Sequence, residues 1–157
     1  MKKVAVLMGS EKDLPIMQKA AETLERFGIP HDVLVASAHK SLDQALAYID
    51  GAEENNLGVI IAGAGKAAHL AGVMAARTTL PVIGVPLSAS MDGLDALLST
   101  VQMPSGIPVA TVAVDGAGNA ALLAVSILAI TDDSLRKQLA AHRDQLAKDT
   151  FREVHRG

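Results

Sequence analysis

Residues 4–15 read VAVLMGSEKDLP, and the fold of the chain can be argued outward from this stretch. Val4–Met8 is a continuous apolar run, which is typical of a strand covered on both faces of a sheet. Gly9–Ser10 ends the run, and Asp13 stands as an N-cap just before Pro15 in the first turn of a helix. The stretch therefore predicts a buried strand that leads through a short loop into a helix.

The same unit recurs along the chain. Five apolar, largely β-branched runs predict strands: Val4–Met8, Asp32–Ala36, Gly58–Ala62, Val82–Val85 and Val109–Val114. Helical patterns follow them in turn: Leu14–Phe27, Leu42–Asn55, Ala67–Thr78, Leu94–Val101 and Ala117–Ile130. This alternation predicts a parallel sheet with helices on both faces, in the common strand order 2-1-3-4-5. We expect one doubly wound α/β domain over residues 1–157.

Composition favours an oligomer. Hydrophobic residues make up 50% of the 157-residue chain but aromatic residues only 2%, so a close-packed interior of Ala, Val, Ile and Leu is expected. A chain this short and apolar has little room to bury its nonpolar surface within one subunit. A final helix, about Asp133–Glu153, has no further strand to lead into. We expect this helix to pack on another subunit.

Charge and residue usage exclude several classes of protein. The net charge is −3 with scattered basic residues, so no nucleic-acid partner is expected. The absence of cysteine excludes disulfides, thiolate nucleophiles and cysteine-bound metals. The most apolar run, 120–130, is far shorter than the roughly 20 residues of a membrane span, and no signal peptide is evident. We expect a cytoplasmic protein without a membrane partner.

The predicted strand order locates a ligand site. Ligands of open parallel sheets bind beyond the carboxyl ends of the strands, and here the loops after the first three strands converge. These loops read GSEKD (9–13), SAHKS (37–41) and AGAGKAAH (62–69). Gly9–Ser10, at a helix N-terminus, suits a phosphate, although a plain turn capped by Asp13 is the alternative.

The third loop suits a small ligand but does not match the known nucleotide-binding motifs. Gly63–Gly65 would let a ring or ribose approach the backbone closely. The loop lacks the third glycine of a dinucleotide fingerprint, and the P-loop pattern fails at Lys66-Ala67. ATP hydrolysis is therefore disfavoured.

His39 is the strongest candidate for proton transfer. It stands in a loop of small residues and can exchange a proton near neutral pH, whereas an isolated histidine is more often structural. His39 is expected at the same edge of the sheet as a loop suited to phosphate, a glycine loop and Lys40, and this combination favours the catalytic interpretation. His69 is expected to line the same site, and His31, His142 and His155 to lie on the surface. Neither His39 nor His69 has a metal-ligand spacing, so we expect no metal.

Several motifs, taken together and in order, resemble one family. They are MGSEKD (8–13), SAH (37–39), AGAGKAAH (62–69) and VQMPSGIPV (101–109). Over about residues 3–130 the chain is similar to the N5-carboxyaminoimidazole ribonucleotide mutases. The resemblance implies a flavodoxin-like three-layer α/β/α fold and a homo-octamer with sites at subunit junctions. It also implies an isomerase of purine biosynthesis that moves a carboxyl group on an aminoimidazole ribonucleotide without a cofactor.

Site roles follow from the resemblance and the loop pattern together. The resemblance makes His39 the catalytic acid–base residue and assigns Ser10 and Asp13 to the substrate. The full predicted substrate-binding set is Gly9, Ser10, Asp13, Ser37, Ala38, Lys40, Gly63, Ala64, Gly65 and His69.

The chain departs from the mutase pattern at a few positions. Lys40 replaces the usual arginine, and lysine is frequent here in the related class that carboxylates aminoimidazole ribonucleotide directly with carbon dioxide. That class resembles AGRSNA in the third loop, where this chain has AGAGKA, so the third loop favours the mutase. Lys66 replaces an expected glycine, Ala71 an expected proline, and Ser41-Leu42 the usual Thr-Pro. The direct carboxylase and a non-catalytic nucleotide-binding module remain alternatives.

Overall fold

The computed structural model describes residues 1–155, which form a five-stranded sheet in the order β2-β1-β3-β4-β5. All neighbouring strands are parallel. The strands are β1 Lys3–Met8, β2 His31–Val35, β3 Leu57–Gly65, β4 Val82–Leu87 and β5 Ala110–Thr111. The predicted α/β class and strand order are confirmed.

Six α-helices accompany the sheet within the described residues. They are α1 Leu14–Arg26, α2 Leu42–Asp50, α3 Leu70–Arg77, α4 Leu94–Val101, α5 Ala117–Leu128 and α6 Asp133–Thr150. Short 3-10 turns, 11–13 and 91–93, precede α1 and α4. No helix of residues 1–155 is long and apolar enough to cross a membrane.

Two apolar cores separate the layers. In β1 the side chains of Val4 and Val6 join a core with α1 and α5, while Ala5 and Leu7 join a second core with α2 and α3. This alternation follows from the two-residue period of a strand. Both faces of the central strands are therefore covered, as the continuous apolar runs predicted.

The edge strands differ from the sequence prediction. In β2, Val33 and Val35 are 41% and 55% exposed, because this strand lies at the edge and α1 packs over β1 instead. The fifth strand was predicted as Val109–Val114, but β5 has only two residues that pair with β4. Pro86 of β4 has no amide hydrogen, so β4 cannot donate a hydrogen bond there to a longer β5.

Helix ends also shift. Helix α2 ends at Asp50 rather than Asn55, and α3 begins at Leu70 rather than Ala67, which leaves residues 67–69 in the site loop. Helix α6 ends at Thr150, three residues before its predicted end. Gly28 has φ 66°, a left-handed conformation, and terminates α1 as predicted.

Candidate active site

A cavity of about 490 Å³ opens at the carboxyl ends of β1, β2 and β3. Every residue of the predicted site lines it except Gly63, so the three loops converge as the strand order predicted. The cavity also includes residues outside the predicted set: Lys12, Lys66, Ala67, Leu70 and Ala89. Lys12 and Lys66 lie in loops already singled out, whereas Ala89 follows β4, and no sequence pattern marked that loop.

The loop after β2 is shaped by two serines. The Ser37 Oγ accepts hydrogen bonds from the backbone N–H groups of His39 (3.3 Å) and Lys40 (3.2 Å). The Ser41 Oγ in turn accepts a bond of 2.9 Å from the Ser37 backbone N–H. This serine turn satisfies the loop's amides and presents His39 and Lys40 side by side at the cavity.

His39 and His69 form a hydrogen-bonded pair. The His39 Nε2 lies 2.8 Å from the His69 Nδ1, and the rings meet edge to face with centroids 4.9 Å apart. One of these two nitrogens must carry the hydrogen that the other accepts. Both side chains belong to exposed residues that line the cavity, so a ligand can reach them. The bond holds the two rings against each other at the cavity, and histidine is a residue type that can exchange a proton with a ligand.

The loop after β1 corrects one prediction. Asp13 makes no side-chain cap to α1; instead Ser10 caps the 3-10 turn, its Oγ accepting from the Lys12 N–H at 3.3 Å. The turn takes over the capping role because it inserts three residues between Ser10 and the helix. The Asp13 carboxylate thus remains available to the cavity, where burial raises its pKa against the opposing effect of a backbone hydrogen bond from Ser10.

The glycines of the third loop serve packing. A side chain at Gly63 would overlap the sulfur of Met17, which is fully buried in α1, so packing by itself accounts for a glycine here and its predicted ligand contact stays a prediction. A Cβ at Gly65 would lie 2.6 Å from the Cβ of Ala89. Gly65 therefore lines the cavity, but its missing side chain makes room for the loop after β4.

Lys66 has an unusual backbone. Its φ of 54° lies in the left-handed region, which disfavours residues other than glycine by roughly 1–2 kcal/mol. This conformation is the physical reason to expect glycine here. Ser99 of α4 holds the loop: its Oγ accepts a hydrogen bond of 3.1 Å from the Ala68 N–H, while the hydroxyl itself donates to the Asp95 carbonyl at 2.7 Å within the helix.

The cavity is suited to an anion. Among the described residues that line it, Lys12, Lys40 and Lys66 are cationic and Asp13 is the one carboxylate. Within residues 1–155, no three His, Cys, Asp or Glu side chains come together as a metal site would require. The arrangement can bind a phosphorylated ligand and move a proton on it.

The other histidines lie away from the cavity. His31 and His142, expected on the surface, are both half-buried there: the His31 side chain is 14% exposed with its Nδ1 3.0 Å from the Ile29 carbonyl. His142 packs edge to face on Phe27, with ring centroids 5.8 Å apart. The His142 contact joins α6 to the end of α1, which the local sequence does not reveal. His155 is exposed, as predicted.

Fold and cavity together define a flavodoxin-like α/β domain with a lysine-lined crevice at the carboxyl edge of its sheet. Comparison with known proteins narrows this class. A family model described as AIR carboxylase matches residues 3–149, and the chain belongs to this family.

Its relatives extend over most of the chain. It is 52% identical to the N5-carboxyaminoimidazole ribonucleotide mutase of Pyrococcus horikoshii, over 92% of this chain and 82% of that protein. It is 54% identical to the Mycobacterium tuberculosis protein of the same name, over 92% and 84% of the two chains. Among solved structures, PurE of Treponema denticola superposes with a TM-score of 0.87 at 30% identity, covering 95% of this chain and 94% of that one.

Proposed function

We propose that this chain is an N5-carboxyaminoimidazole ribonucleotide mutase. It converts N5-carboxyaminoimidazole ribonucleotide into 4-carboxy-5-aminoimidazole ribonucleotide in de novo purine biosynthesis, an isomerisation. The observation that carries the proposal is the His39–His69 pair inside a lysine-lined cavity, in a chain similar to named mutases along nearly its whole length.

The reaction needs a proton carrier and a closed pocket. The carbamate C–N bond of the substrate breaks, releasing carbon dioxide, and the exocyclic nitrogen that carried the carboxyl group gains a proton. Carbon 4 of the electron-rich imidazole then forms a bond to the same carbon dioxide and loses its proton. We assign both proton transfers to His39, with His69 as the positioning residue that fixes its ring through the 2.8 Å hydrogen bond. No cofactor takes part in this scheme.

The remaining cavity residues bind the nucleotide in this proposal. Gly9 and Ser10 stand at the start of a 3-10 turn, and Asp13 faces the cavity beside them; we assign Ser10 and Asp13 to the ribose and phosphate end. Lys40, next to His39, supplies a cation for the phosphate. The small residues that line the cavity leave room for released carbon dioxide: Ser37, Ala38, Ala64 and Gly65.

A two-substrate assay tests the reaction. Purified protein is given either the carbamate ribonucleotide or the decarboxylated ribonucleotide with bicarbonate, and formation of the 4-carboxy product is followed at equal nucleotide concentration. A mutase turns over the carbamate rapidly and the decarboxylated compound at low bicarbonate barely at all. Preference for the decarboxylated compound with carbon dioxide would instead identify the direct carboxylase, which the lysine at position 40 favours.

We further propose a homo-octamer in the cytoplasm. Helix α4 carries apolar side chains toward solvent, with Leu94, Leu98 and Val101 being 51%, 48% and 46% exposed. Helix α6 packs on α5 but buries only Leu135 completely, which supports a second surface for subunit contact. In this arrangement the sites lie at subunit junctions. A phosphorylated nucleotide substrate does not cross membranes, which supports a cytoplasmic enzyme.

A further inference from the structure

We propose that Lys66 is a substrate-binding residue, whose ammonium group binds the 5′-phosphate of the ribonucleotide in the cavity. The inference rests on the proposed function, and it assigns a role to a residue that stands where the resembling family has glycine. Lys66 lines the cavity and is exposed.

The position of Lys66 is fixed by its own backbone. Its left-handed φ of 54° is an uncommon conformation for lysine. The loop is held there two residues further on, where the Ala68 N–H donates to the Ser99 Oγ of α4 at 3.1 Å. The lysine side chain therefore starts from a defined point on the cavity wall, although the chain could adopt this turn more easily with glycine.

The ammonium group of Lys66 is available to a ligand. Among residues 1–155 it makes no hydrogen bond and no ion pair within 4.0 Å. The charge of Lys66 acts on Asp95, whose pKa is lowered mainly by the Ser90 hydroxyl and to a lesser degree by that charge. Asp95 already accepts hydrogen bonds from Ser90 and from the Ala96 N–H, so it does not sequester the lysine.

The chemistry selects the phosphate over the migrating carboxyl group. The carboxyl group becomes neutral carbon dioxide during the reaction, so a cation fixed on it would stabilise the charged ground state and slow the step. The phosphate keeps its charge throughout. Lys40 follows β2 and Lys66 follows β3, so the two cations line the cavity from different loops and both can serve one dianion.

Lys66→Gln removes the charge while keeping a long side chain. The variant is expected to raise KM for the carbamate ribonucleotide and the inhibition constant of inorganic phosphate in parallel, by about two- to fivefold, the upper part of the range for a partly exposed ion pair. The kcat should stay within about twofold of wild type, because the phosphate contact does not change during the reaction. Lys66→Arg should restore both constants.

Controls separate this effect from others. Lys19→Gln removes a charge from the exposed face of α1, outside the cavity, and should change neither constant. Unchanged constants in Lys66→Gln, or a fall in kcat with phosphate inhibition unaltered, would overturn the proposal. Phosphate binding is also measured by titration calorimetry without turnover. If wild type lacks mutase activity, the proposed function fails, while the calorimetry still decides whether Lys66 binds phosphate.

Discussion

His39 and Lys40 are neighbours in one serine-capped turn, and we expect them to act on different parts of the substrate. His39→Asn should abolish turnover while nucleotide binding stays within about tenfold, because asparagine cannot carry the proton but leaves the phosphate contacts in place. Turnover assays and a direct binding titration check this.

The matched control for His39 is another exposed histidine, His155, which does not line the cavity. His155→Asn should behave as wild type. Full activity in His39→Asn would remove His39 from the mechanism. Loss of binding together with turnover would show that the ring holds the substrate instead of moving its proton.

Lys40 is tested by a pair of variants. Lys40→Ala should mainly raise KM, with a loss of about 1.5–3 kcal/mol for a hydrogen bond to a charged group, reduced in high salt. Lys40→Arg should be tolerated in a site of the mutase kind. Steady-state kinetics at two salt concentrations measure both. If arginine proves as damaging as alanine and turnover requires carbon dioxide, the direct carboxylase becomes the better assignment.

At the scale of single residues, the sequence identified which loops line the cavity but not why each residue is there. Gly63 is predicted as a ligand contact because small residues suit both ligands and packing, and only the three-dimensional structure shows Met17 against it. Asp13 fitted the pattern of a helix cap, yet the intervening 3-10 turn gives that role to Ser10. When two neighbouring polar residues can each cap a turn, the local sequence does not decide which of them does so.

At the scale of elements, Asp32 joins two strands and a helix. Its carboxylate accepts hydrogen bonds from the Tyr48 hydroxyl of α2 at 2.8 Å and from Lys3 of β1 at 3.0 Å. Burial alone would raise the pKa of Asp32, but the hydrogen bonds from Tyr48 and Lys3 lower it on balance. Burial and the bond to Asp32 raise the pKa of Tyr48 far above its ordinary value. This cluster stabilises the docking of α2 on the edge strand β2.

Tyr48→Phe should reduce the free energy of unfolding by about 1–2 kcal/mol at pH 6, because it removes a hydrogen bond to a charged acceptor. The pKa of Asp32 is lowered in the folded state, so its contribution is present above its unfolded pKa of about 3.9 and is lost as the pH falls through the folded value. The difference between wild type and variant should therefore shrink below about pH 4. Denaturant titrations across this pH range measure it; a constant difference would contradict the assignment.

Element types were predictable because the central strands are covered on both faces and leave continuous apolar runs. The ends of the strands and helices were not predictable in the same way. The run Val109–Val114 has strand-like composition, but pairing also depends on β4, whose Pro86 lacks an amide hydrogen. The order 2-1-3-4-5 was correct because right-handed crossovers leave few alternatives for alternating strands and helices.

At the scale of the whole molecule, the exposed apolar face of α4 leads to a test of assembly. Leu98→Glu should reduce the size of the oligomer, because a charge would have to be buried in the proposed interface. Sedimentation velocity at micromolar concentration measures this against wild type, which should sediment well above a dimer.

The control for assembly is Gln44→Glu, which adds a charge at an exposed polar position of α2. It should leave the sedimentation coefficient unchanged. A monomeric wild type would exclude the octamer and sites shared between subunits.

The bond between Tyr48 and Asp32 also gives the protein a built-in optical reporter. The chain has one tyrosine and no tryptophan, so ultraviolet emission excited near the phenol band comes from a single side chain. A carboxylate 2.8 Å from the phenol oxygen accepts its proton in the excited state and quenches that emission. Brightening of tyrosine fluorescence therefore reports separation of α2 from the edge of the sheet, with no label attached.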